Sequence, residues 1–82
     1  MSIEVMTRVW KHSRREGTEL LLLLAIADYA DDHGVAHPYK AQLAKKCRIS
    51  ERTVQRLLKK IESEGELEIR RADGRGNRML LS

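Results

Sequence analysis

The apolar residues of this chain change period as one reads along it, and each period implies an element. In IEVMTRVWKHS, residues 3–13, Met6, Val9, Trp10 and Ser13 share one helical face, which predicts a short amphipathic helix. Arg14, Arg15 and Glu16 then lead into Gly17, a predicted break. A second helix is expected over 18–32, TELLLLLAIADYADD, with the Thr18 oxygen as its cap and Glu19 near the positive end of the helix dipole. Five consecutive leucines, Leu20–Leu24, leave that helix no polar flank. A helix apolar nearly all round has to be covered on more than one side, so it is either the central core helix or part of a dimer interface. The first helix, through Val9 and Trp10, is the expected cover on one side, and a second subunit is the candidate for the rest.

The second helix is expected to run out at Asp31-Asp32-His33-Gly34, where glycine can take a left-handed conformation. Val35-Ala36-His37 is long enough for one edge strand, and Pro38 closes it and sets up another helix start. Over 39–46, YKAQLAKK turns Leu43 inward and Lys40, Lys45 and Lys46 outward. A break at Cys47–Ile49 follows, with Ser50 as the next cap. In the helix predicted at 51–64, Val54, Leu57, Leu58 and Ile61 recur at i, i+3, i+4 and i+7, leaving Arg52, Gln55, Arg56, Lys59 and Lys60 outside. Gly65 ends it. Leu67–Arg71 alternates at period two, Ala72–Asn77 is a glycine-rich turn and Arg78–Ser82 returns, so 66–82 reads as a β-hairpin with an arginine-bearing tip.

Eighty-two residues suffice for one domain with a modest core, expected to span 1–82. Aromatics make up 4% of the chain and phenylalanine is absent, so that core has to be aliphatic. The longest apolar run, Leu20–Ala27, falls far short of the roughly 20 residues that span a bilayer. Glu4 and Arg8 interrupt any export signal in MSIEVMTRVW, and a single cysteine cannot form an internal disulfide. An intracellular, cytoplasmic protein with no membrane partner is expected.

A net charge of +4 becomes informative once it is located. Residues 1–15 carry +3 and residues 16–39 carry −5. Residues 40–60 hold eight bases against Glu51, +7, and residues 61–82 carry −1. Positive charge is thus gathered on the third and fourth helices, as binding to phosphate requires.

Other chemistry finds little support. His33, His37 and Cys47, with Asp31 and Asp32, do not have the spacing of a metal site, because H-x3-H lies across a helix end and a loop. Gly74-x-Gly76 is a hairpin turn and opens no helix, so it is not a phosphate loop. Neither a nucleophile–base–acid order nor paired carboxylates in an apolar setting occur; no enzyme activity, metal or cofactor is expected.

Helix, helix, short strand, helix, tight turn, helix, hairpin is an order with a known use. In a helix-turn-helix the first helix of the pair braces across the DNA backbone while the second enters the major groove, N-terminal residues toward the base edges. That crossing asks for a small residue, which Ala44 supplies, while Ile49, Val54 and Leu57 hold the angle. LLLLAIADYADDHGVAHPY (21–39), QLAKKCRISERTVQRLLKKIESEGEL (42–67) and GRGNRMLL (74–81) together resemble a winged helix-turn-helix domain. The loop D-x-G-x-x-x-P, then L-A, I-S-x-R-T-V-x-R and E-x-x-G-x-L, are similar to the N-terminal DNA-binding domains of phage and plasmid replication initiators. Winged-helix transcriptional regulators share the later half of the pattern.

The resemblance implies a mainly α fold (α+β) of about four helices with a two- or three-stranded antiparallel wing sheet. It also implies sequence-specific binding of double-stranded DNA in replication initiation of a mobile element, with other replication proteins as partners and a nucleoid- or plasmid-associated location. Two departures stand out: relatives commonly have glycine where this chain has Arg48, and Ser or Thr where it has Tyr39. Arg52, Gln55 and Arg56 are the expected base readers, since arginine matches guanine and glutamine matches adenine through paired hydrogen bonds. Glu51 can accept from cytosine or simply favour the helix dipole. Ser50, Thr53, Lys40, Lys59 and Lys60 are expected at phosphates, and Arg75, Asn77 and Arg78 at the minor groove or its flanking phosphate. Two other uses fit the same residues: a small transcriptional repressor, and a protein-interaction module whose basic face is incidental.

Overall fold

The computed structural model describes residues 3–70 and 78–81. Four helices, α1 (Ile3–His12), α2 (Gly17–Tyr29), α3 (Lys40–Cys47) and α4 (Glu51–Ser63), accompany three strands, β1 (Val35–Ala36), β2 (Leu67–Arg70) and β3 (Arg78–Leu81). The strands form one antiparallel sheet in the order β1-β3-β2. Leu67 pairs with Leu81, Ile69 with Met79 and Arg70 with Arg78, while Val35 and Ala36 pair with Leu80 and Met79 on the other side of β3. This is the winged-helix α+β arrangement.

The core is aliphatic. Leu22, Leu23 and Ile26 of α2 are fully buried together with Val5, Leu43, Val54, Ile61 and Met79 from the surrounding elements. Each large side chain so removed from water contributes about 1.5–3 kcal/mol to folding. Of the five leucines, Leu22, Leu23 and Leu24 are buried, Leu20 is half-buried and Leu21 stays 48% exposed. A single helix cannot turn five successive residues inward, and neighbours close only part of its circumference.

Three expectations need correcting. Trp10 does not cover α2: it is 63% exposed, because Val5 and Val9, at i and i+4, are the α1 residues that face inward, and Trp10 lies about 100° further round. Thr18 does not cap α2, since its hydroxyl bonds to no described residue; the chain enters the helix through Gly17, whose φ is +58°. The helix also ends at Tyr29 rather than at residue 32. Asp31 ends it, accepting from the His33 and Val35 N–H groups (2.8 and 3.1 Å) through its Oδ1 and so folding residues 31–35 into a side-chain-stabilised turn. Those bonds hold the Asp31 carboxyl below its usual pKa. Gly34 is left-handed as expected (φ +79°), and its carbonyl accepts from Leu81 N–H at 3.0 Å, tying the loop to β3.

The link between α1 and α2 is fastened to the far end of α4. Arg15, its side chain 11% exposed, donates to Glu66 (2.9 Å), Glu19 (3.3 Å) and Glu64. Ser13 Oγ and the Arg14 N–H also donate to the Glu66 carboxylate (2.6 and 3.2 Å). Burial pushes the Glu66 carboxyl up, but these hydrogen bonds and the Arg15 charge outweigh it, and the group sits below its ordinary value.

Candidate nucleic-acid interface

Ser50 starts α4 as predicted. Its backbone is extended (φ −74°, ψ 157°), and its Oγ accepts from Thr53 N–H at 3.1 Å. Such a cap is worth about 1 kcal/mol. Ser50 Oγ also lies 2.9 Å from Thr53 Oγ1, so the two hydroxyls proposed for phosphate are already engaged with each other at the helix start.

The turn before it is tight. Arg48 has φ 59° and ψ 44°, the only non-glycine with positive φ among the described residues. Its N–H and that of Ile49 (3.0 Å) both donate to the Ala44 carbonyl, closing the end of α3, and Ile49 packs on the core. Ala44, on α3, is buried. At the other end of α3, Tyr39 occupies the cap position without capping; instead Gln42 Oε1 reaches back to accept from the Tyr39 N–H at 2.8 Å.

Val54, Leu57, Leu58 and Ile61 are buried, and α4 is steadied from both flanks. On one flank Lys60 pairs with Glu19 of α2 (3.1 Å). On the other, Glu62 Oε2 accepts from the Ile69 N–H of β2 (3.2 Å). Between these tethers Arg52, Arg56 and Lys59, at i, i+4 and i+7, form a stripe opposite the buried one. All three are exposed and make no hydrogen bond or ion pair with any described residue; Gln55 and Glu51, also exposed, lie along the β2 side of the stripe. Lys40 is half-buried at the start of α3. Lys46, by contrast, is spent on the fold: it pairs with Asp28 and lies 4.9 Å from the centre of the Tyr29 ring.

In the wing, Arg78 is exposed at the start of β3, whereas Arg75 and Asn77 lie outside the described residues. The register adds a residue that the sequence reading did not select. Arg70 sits directly across from Arg78, both exposed, with Arg70 Nε bonded to Glu68 at 2.9 Å. Like charges directly opposed on a sheet are unfavourable unless an anion is shared between them. The signal in the sequence was the alternation Leu67-Glu68-Ile69-Arg70, but only the pairing with β3 selects Arg70 as the neighbour of Arg78.

Among the described residues, no group of His, Cys, Asp and Glu side chains is arranged to hold a metal ion, and no helix is long and apolar enough to cross a membrane. A braced, tightly turned helix pair with a basic outer stripe, flanked by an antiparallel wing, defines a winged helix-turn-helix DNA-binding domain. Residues 16–65 match the model of a helix-turn-helix domain family, from the α1–α2 link through α4, and the chain belongs to that family. Comparison with curated proteins gave no match.

Proposed function

We propose that the chain binds double-stranded DNA in a sequence-specific manner, and that it does so in replication initiation of a phage, plasmid or other mobile element. The observation that carries the first part is the Arg52–Arg56–Lys59 stripe, free of partners among the described residues and held outward by the tethers of Lys60 and Glu62. Arg52, nearest the helix start, with Gln55 and Arg56 in the following turn, reads base edges in the major groove. Lys59 and Lys40 fix position on phosphates, and the Arg70–Arg78 pair straddles a phosphate beside the wing. The replication role rests on the initiator-like motifs D-x-G-x-x-x-P and I-S-x-R-T-V-x-R. In this reading residues 1–82 are one DNA-binding domain without catalysis of its own, and replication proteins of the same element act beside it in the bacterial cytoplasm.

Selection of bound sequences from a random duplex pool tests both parts. A recovered site that recurs within a replication origin supports the initiator reading; one that overlaps a promoter makes the chain a repressor. On the selected site, Arg52→Ala is expected to relax base preference and cost roughly 1–3 kcal/mol. Lys59→Ala is expected to weaken all sequences alike and lower the slope of log affinity against log salt by about one contact's worth, ~0.9. No enrichment, with no steep salt dependence, would leave a protein-interaction module instead.

A further inference from the structure

On the side of α1, three large apolar residues stand in solvent: Ile3 (76% exposed) and Trp10 (63%) on α1, and Leu21 (48%) on α2. Ile3, half-buried Met6 and Trp10 recur at i, i+3 and i+7, beside the Val5–Val9 stripe that is buried. The apolar arc of α1 is therefore wider than the part its own fold covers. Met6, Leu21, Leu24 and Ala25 floor a shallow groove alongside it, walled by Lys46 and Cys47 of α3. Contiguous exposed apolar surface rimmed by charge marks a contact site.

The rim indicates which partner fits. Glu4 and Lys11, at i and i+7, lie past Thr7 beyond one edge of the Ile3–Met6–Trp10 stripe, both exposed and without an ion pair to any described residue. Opposite charges near the two ends of one short helix are self-complementary under a two-fold axis. An antiparallel copy of α1 sets its Lys11 beside Glu4, its Glu4 beside Lys11, and its Trp10 against Ile3. We propose that this face is an interface between two copies of the chain, with the two α1 helices packed antiparallel and Leu21 of each copy at the margin. The proposal stands on the apolar face and its charged rim and does not depend on DNA binding. With ten residues, α1 is only about 15 Å long, so the interface is small and the dimer weak in solution, gaining strength where two adjacent sites hold two copies together.

Sedimentation equilibrium from about 10 μM to 1 mM reads the outcome directly, a range suited to micromolar association. The weight-average mass should rise toward twice that of the monomer, and Trp10→Ser should raise the dissociation constant by at least roughly tenfold. Glu4→Lys and Lys11→Glu should each weaken association, and the double variant Glu4→Lys/Lys11→Glu should restore it, since the exchange preserves the pairing. Circular dichroism checks that these exposed substitutions leave the fold intact. A monomer across the whole range overturns the proposal, as does association that the double exchange fails to restore. Binding of monomers to anionic vesicles, lost in Trp10→Ser, would assign the same face to a lipid surface and likewise overturn it.

Discussion

Arg48→Gly should make this domain more stable, although it removes a large side chain and a charge. Arg48 holds φ 59° and ψ 44°, where the Cβ of an L-residue crowds the following carbonyl. That conformation costs a non-glycine residue about 1–2 kcal/mol, and glycine nothing. Against this gain, glycine enlarges the conformational freedom of the unfolded chain, a loss of about 0.4–1 kcal/mol. Arg48 is exposed and bonded through its side chain to no described residue, so no packing is lost, and the Ile49 and Arg48 N–H bonds to Ala44 use only backbone. The net expectation is a gain of about 0.5–1 kcal/mol, or about 2–8 °C in Tm for a domain of this size. Arg48→Ala is the control, because it deletes the same charge and keeps the strained Cβ; it should be no more stable than the parent. Urea titration with an unchanged m-value reads the difference at equilibrium. A glycine variant no more stable than the alanine variant would show that the turn is not strained.

Three further outcomes follow from other parts of the molecule. Because Lys60 is paired with Glu19, Lys60→Ala should change the salt slope of DNA binding less than Lys59→Ala, and Glu19→Ala should free Lys60 and raise affinity for all duplexes at low salt; equal slopes for the two lysine variants would contradict the pairing. Glu66 has its folded pKa below its unfolded value near ~4.3, so its contribution is complete above that pH and is lost as pH falls through the lower folded value; the stability gap between the parent and Glu66→Gln should shrink on acidification, and a gap constant from neutral pH to acid would refute this. Burial raises the pKa of the Cys47 thiol, with the Lys46 charge offsetting only part, so alkylation of the native protein should run at least roughly tenfold slower than in urea, equal rates meaning an open site.

The pattern of the chain determined the order of its elements because each carries its own period and punctuation. Val54, Leu57, Leu58 and Ile61 place the inner face of α4 without reference to anything else, and Ser50 fixes its start. The alternation from Leu67 and its return after Arg78 likewise yield two antiparallel strands. The end of α2 was less legible: helical periodicity continues through Asp31 and Asp32, and the turn wins because the Asp31 side chain finds two backbone donors once Val35 has joined β3.

The candidate interface divides in the same way. Arg52, Gln55, Arg56 and Lys59 were readable as an outer face from spacing alone. Spacing could not separate them from Lys60 and Lys46, which are also polar and exposed but are committed to Glu19 and Asp28 across the fold. Nor could it show that Arg70 stands opposite Arg78, which depends on strand register, or that Trp10 points into solvent while Val9, its neighbour in sequence, is buried. Local sequence determined the helices, the Ser50 cap of α4 and the sign of the charge, since those depend on bonds and side chains a few residues apart. Tertiary structure alone decided which charges remain free and which apolar side chains remain uncovered, because both are settled by what the other elements bring alongside.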